Sequence, residues 1–145
     1  MQKKVAALSP AVIGLGKIDH WYWTKYFIDI YRECPYLCSY CNTARNYREK
    51  GLRFSYELPE RNQTIGLGLL SDIYHPDPSM NKNVTDILKV LYRGGYAVTI
   101  QTKSDALLQD IELLKKFALK DRARVTFTIL TNDGLLSSRL EVPVS

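Results

Sequence analysis

The sequence predicts an α/β protein built on a parallel sheet, and three observations lead there. Short β-branched or aromatic runs alternate with helix-patterned segments, the connections between them are brief, and each run ends in polar or thiol-bearing residues. Strands and helices that alternate in this way form a parallel sheet through right-handed crossovers. In such sheets and barrels the functional residues gather at the C-terminal ends of the strands.

Residues 1–23 read as an irregular N-terminal leader. Their apolar stretch is broken by Ser9, Pro10, Gly14 and Gly16, and no small-residue cleavage site is evident. Residues 24–31, "TKYFIDIY", alternate apolar with polar side chains and predict the first strand. This strand runs directly into "CPYLCSYC". Residues 41–50, "CNTARNYREK", are polar with helix formers and stop at Gly51, which predicts a helix. After an irregular stretch over 52–63, "TIGLGLLS" (64–71) reads as a strand buried on both faces.

A loop rich in Pro and Asp follows, and then "VTDILKVLYRGG" places Val84, Ile87, Leu88 and Leu91 on one helical face before Gly94 and Gly95. "YAVTIQT" (96–102) is the third strand. "SDALLQDIELLKKFAL" predicts a helix with Ser104 as N-cap and Leu107, Leu108, Ile111, Leu114 and Phe117 on one face. "RVTFTIL" (124–130) is the fourth strand, and the tail "TNDGLLSSRLEVPVS" reads as a turn that leads into no further element. Four strand ends should therefore share one rim: the cysteine loop, 71–74, 102–104 and 130–133.

The bulk properties narrow the class. A chain of 145 residues, 46% hydrophobic and 24% charged, suits one domain with a real core. No apolar run approaches the ~20 residues that span a bilayer, so no membrane partner is expected. The net charge of +5 is spread over scattered groups, two of them on predicted helices, where a solvated face explains them. Such a charge permits nucleic-acid binding without arguing strongly for it. The aromatic run "HWYWTKYF" could stack on bases, but Trp21, Trp23 and Phe27 better suit the cover of a sheet.

All three cysteines, Cys34, Cys38 and Cys41, lie within eight positions. An odd, tightly spaced set is a poor disulfide framework and suits a metal or cluster loop in the reducing cytoplasm. A zinc site completed by His20 or His75 is the bland alternative. Three thiolates on one loop can instead hold three irons of a [4Fe–4S] cube and leave the fourth iron open to a small molecule.

The C-x3-C-x2-C spacing, with aromatic Tyr40 just before the last cysteine, resembles the signature of the radical SAM superfamily. The segments "IDIYRECPYLCSYC", "LLSDIYHPDP", "VTIQTKSDALLQDIELL" and "VTFTILTNDGLLSSRLEV" look, in order, like its spore photoproduct lyase-like (DNA repair photolyase-like) branch. That resemblance runs from about residue 24 to 143, nearly the whole chain. It implies a partial TIM-type (β/α) barrel with about four of the usual six strand–helix units, a chain truncated at its C-terminus relative to the family.

The resemblance further implies a [4Fe–4S] cluster on Cys34, Cys38 and Cys41 whose open iron binds S-adenosylmethionine. Reductive cleavage would then give a 5′-deoxyadenosyl radical. By the same analogy Tyr40 lies beside the adenine, and Ser71 and Asp72 approach the SAM amino group. Lys103 pairs with its carboxylate, and Thr128 approaches the ribose and methionyl part. Implied partners are an electron donor of flavodoxin or ferredoxin type, DNA from the family name, and a second chain that supplies the missing barrel units. Leu69 stands where spore photoproduct lyase has its hydrogen-donating cysteine, which argues against that particular repair route. The alternative functions are a truncated or split half that binds a cluster without turnover, or a zinc or nucleic-acid-binding module.

Overall fold

The computed structural model describes residues 14–21, 24–31, 34–41, 54–55, 58–68 and 71–143. Strands β1 (Gly14–Trp21), β2 (Thr24–Asp29), β4 (Phe54–Ser55), β5 (Thr64–Leu67), β6 (Ala97–Thr102) and β7 (Ala123–Phe127) form one six-stranded sheet in the order β4-β1-β2-β5-β6-β7. The run β2-β5-β6-β7 is parallel throughout. The expected parallel α/β core is therefore present, with four strands in sequence order. The expected helix over 41–50 lies outside the described residues, apart from Cys41, as do Trp23 and Leu69.

Burial explains which runs became central. In β5, Ile65, Gly66 and Leu67 are all buried, and in β6 so are Val98, Thr99 and Ile100. Consecutive burial without alternation marks strands covered on both faces. One cover is α1 (Lys82–Gly94), whose buried Val84, Ile87, Leu88 and Leu91 form the expected stripe. Gly95 ends it in a left-handed conformation at φ 82, and its N–H bonds back to Tyr92 O at 3.2 Å. A residue with a Cβ adopts that conformation only at a cost.

Helix α2 (Ile111–Ala118) follows a 3₁₀ segment, Asp105–Asp110, that Ser104 caps as expected through a 3.2 Å bond from the Ala106 N–H. The expected apolar face is only partly right. Leu107, Leu114 and Phe117 are buried, whereas Leu108 and Ile111 are exposed. The tighter 3₁₀ winding of three residues per turn shifts the phase, so Leu107 and Asp110 face inward and the 108–111 row faces out. Phe117 then meets Tyr92 of α1 edge-on, with ring centroids 5.1 Å apart.

Two terminal segments depart from expectation. Part of the leader expected to be irregular is β1, which pairs antiparallel with β2 from Gly14↔Asp29 to Trp21↔Thr24. Its glycines hide the alternation, and what makes it a strand is the open edge that β2 offers. The tail is likewise regular: Asp133 caps α3 (Gly134–Leu140) by accepting from Leu135 N and Leu136 N. Then β8 (Glu141–Pro143) pairs antiparallel with β3 (Tyr36–Cys38), a strand inside the cysteine loop. A three-residue strand has no periodicity to read, and its partner lies far away in the chain.

Among the described residues no helix is long and apolar enough to cross a membrane.

Candidate functional site

Because β2, β5, β6 and β7 run parallel, their C-terminal ends share one rim. The chain leaves β5 through Gly68, whose φ of 82 and N–H bond to Ile28 O at 2.9 Å turn it toward Ser71 and Asp72. A Cβ there would sit 2.5 Å from Ser71 O, so this position needs glycine.

Asp72 is the staple of the rim. Its Oδ1 accepts from Thr102 Oγ1 at 2.7 Å and from Tyr74 N at 3.0 Å, and its Oδ2 accepts from Lys103 N at 2.9 Å. Burial pushes its carboxyl above the usual range, against the pull of those donors. The backbone N–H of Asp72 in turn donates to Cys34 Sγ at 3.4 Å. Burial raises the Cys34 thiol, and the N–H groups of Asp72 and Tyr36 oppose that rise.

Lys103 projects from the end of β6 and lies 3.1 Å from both Cys38 Sγ and Glu141 Oε1. Its ammonium also stands over the Tyr36 ring, 5.1 Å from the centroid. Burial alone would depress the ammonium, but the bonds to Cys38 and Glu141 outweigh it and raise the group. Glu141 also accepts from the Tyr40 hydroxyl. That bond and the one from Lys103 hold its carboxyl below the ordinary value, while burial and Glu141 push the Tyr40 phenol up.

The residues expected to form the site thus separate into groups. Cys34, Cys38, Tyr40, Asp72 and Lys103 come together through direct contacts. Cys41 is on the same loop, exposed, and its N–H bonds to Cys38 O at 3.1 Å. Ser71 is buried and points inward: its N–H donates to Asp29 Oδ1 at 3.3 Å and its hydroxyl lies 3.5 Å from Tyr31 O. Thr128 accepts from Gln101 Nε2 at 3.3 Å, and its N–H bonds to Thr102 O at 2.9 Å, which ties β7 to β6 beside the cluster of contacts.

His75 serves its own loop, where its Nδ1 accepts from Asp77 N at 3.0 Å and its N–H donates to Asn81 Oδ1 at 2.7 Å. Glu141 and Tyr36 are the members of the rim that the sequence did not single out. Nothing local marks them, since each takes its place through a partner distant in sequence.

Among the described residues no three His, Cys, Asp or Glu side chains are gathered closely enough to hold a metal ion. The donor chemistry nevertheless suits a thiolate-ligated centre. A backbone N–H on Cys34 and an ammonium on Cys38 are the contacts that stabilise and orient ligating sulfur. Holding a cluster therefore requires the loop 34–41 to draw its three sulfurs to one point.

No protein-family model and no solved structure matches the chain. An uncharacterized protein of Methanocaldococcus jannaschii is 32% identical over 130 residues, which covers 81% of this chain and 49% of that protein. The chain thus spans about half the length of the curated relative it matches.

Proposed function

We propose that the chain is an iron–sulfur protein of radical SAM type. The observation that carries this reading is the meeting of Cys34 and Cys38 with Asp72 and Lys103 where three parallel strands end. Cys34, Cys38 and Cys41 would hold the cluster. When bound, a [4Fe–4S] cluster on three thiolates supplies one-electron reduction at an iron that no side chain occupies. The chain's own residues do the rest. Lys103 offers a compact cation for a carboxylate, Tyr40 offers an aromatic face, and Asp72 holds the ends of β5 and β6 in register. Ser71 acts through the loop that it pins, and Thr128 through the edge of β7. The resemblance to the spore photoproduct lyase-like branch makes DNA the substrate class to test first, with a flavodoxin or ferredoxin as electron donor.

The test is anaerobic reconstitution of the full chain. Iron and sulfide are expected at about four each per chain, falling severalfold when Cys38 is replaced by Ala. Stoichiometric zinc without sulfide would sink the reading. A reduced, loaded chain supplied with SAM is expected to release 5′-deoxyadenosine.

A second reading has its own support, from β7 being the edge strand of the sheet among the described residues and from the half-length match to the relative. In it the chain binds a cluster but turns over only with another polypeptide against that edge. Cluster assembly without SAM cleavage, restored by a partner chain, separates the two.

A further inference from the structure

Glu141 is as heavily engaged as Asp72, each carboxylate taking three partners, and it has no assigned role. Its Oε1 takes Lys103 Nζ at 3.1 Å and the Tyr40 hydroxyl, while its Oε2 takes Ser137 Oγ at 3.0 Å. The Lys103–Glu141 pair is no surface ion pair, for its side chains are only 14% and 16% exposed. Exposed pairs fix little because water screens them and both chains stay free. A covered pair holds its geometry when its remaining donors and acceptors are also satisfied, as they are here.

The backbone makes the same connection. Cys38 lies opposite Glu141 in the β3–β8 pair, and the Ser39 N–H donates to Leu140 O at 2.9 Å. One residue thus joins three things: through its backbone the cysteine-bearing strand, and through its carboxylate the lysine at the end of β6 and the tyrosine before Cys41. The helix α3 supplies the last contact through Ser137 and has no buried residue of its own. Its visible task is to bring β8 to the cysteine loop.

We propose that Glu141 is the positioning residue of the rim. It draws the Lys103 ammonium and the Tyr40 hydroxyl to one point, and through β8 it clasps the cysteine loop to the end of β6. Its value to a bound cofactor rests on the function proposed above, but the clasp itself does not. Glu141 acts through Lys103 and Tyr40 and is not a catalytic residue.

The experiment uses the full chain, metal-free and reduced, as wild type, E141Q, E141A and Y40F. Hydrogen exchange at the Ser39 amide is expected to speed up at least tenfold in E141A, while the Val98 and Gly68 amides keep wild-type rates. E141Q preserves size and removes charge. It is expected to give a tyrosine-type near-ultraviolet difference spectrum against wild type that vanishes when the same change is made on Y40F. A merely structural tail would leave that signal silent. After reconstitution, E141Q is expected to weaken SAM binding at least tenfold. Wild-type exchange at Ser39 in E141A with a silent difference spectrum overturns the clasp, and equal SAM affinity in wild type and E141Q overturns its value to a bound cofactor. If the wild type assembles no cluster, the cofactor reading fails while the exchange and spectral results still decide the clasp.

Discussion

Strands β6 and β7 are hydrogen-bonded neighbours in parallel register from Val98↔Ala123 to Thr102↔Phe127, yet they live in different surroundings. In β6 four of the six residues are buried, whereas in β7 none is. Beyond β7 the exposure deepens, with Ile129 81% and Leu135 76% exposed. Both strands are written in the same β-branched vocabulary. The difference teaches that such a run specifies a strand and leaves open what will cover it. The core grips β6 from both faces, while β7 is the edge strand among the described residues and leaves its apolar side chains half-covered or exposed.

The contrast can be broken experimentally. Ile100→Ala in β6 should cost about 2–5 kcal/mol in urea unfolding, because it leaves a cavity among residues that cannot collapse into it. Phe127→Ala in β7 should stay within about 0.5 kcal/mol. Equal losses would mean that the open side is covered in solution.

Gly68→Ala tests the turn that carries the covered strand to the rim. With φ at 82 and Ser71 O in the way, a loss of about 1–3 kcal/mol in thermal or urea unfolding is expected. A neutral result would show that the Ser71–Asp72 turn yields easily.

A gentler probe of the open side is Phe127→Ser combined with Leu136→Ser. Sedimentation velocity should show less self-association at matched concentration, with the melting temperature nearly unchanged. Identical sedimentation would remove the open side as a sticky surface.

The smallest effect concerns Tyr31, half-buried beside the rim, whose phenol burial, Asp72 and Asp77 push up to about 12. Its folded value lies above the ordinary 10.0, so the folded chain keeps this proton longer than the unfolded chain does. The associated stability is complete below pH 10 and drains away as pH rises toward 12. Absorbance titration of wild type against Tyr31→Phe should show one late-ionising tyrosine missing from the variant.

The legible parts of the molecule were those whose cause is local. The stripe Val84, Ile87, Leu88 and Leu91 is a property of one helix, and consecutive burial in β5 and β6 follows from their unbroken apolar runs. Parallel pairing then forced Cys34, Asp72 and Lys103 onto a common rim, so their meeting could be expected from sequence. What stayed hidden depends on distant partners. β1 exists because β2 has an edge to offer, and β8 because β3 does. The 3₁₀ start of the 105–118 segment was equally invisible, since an α-helical count sends Leu108 and Ile111 inward. Glu141 combines both difficulties, being a charged residue in a three-residue strand.

The pairing of β3 with β8 has a consequence in time. Tyr40 and Glu141 are 101 residues apart in the chain. Closing a loop of that length costs roughly 4 kcal/mol beyond a constant, by the (3/2)RT ln n rule, before any contact in it is rewarded. The pairings within β5 and β6 span far shorter loops and come first when topology governs speed. During synthesis at roughly 5–20 residues per second, the cysteine loop emerges on the order of 5–20 s before its partner strand. Through that interval its thiols lack the partner strand and stand open to oxidation. In a refolding chain the Ser39 amide is accordingly expected to gain protection after the Val98 amide, as pulsed hydrogen exchange would record. The loop that opens the rim is the first part of it to be made and the last to be finished.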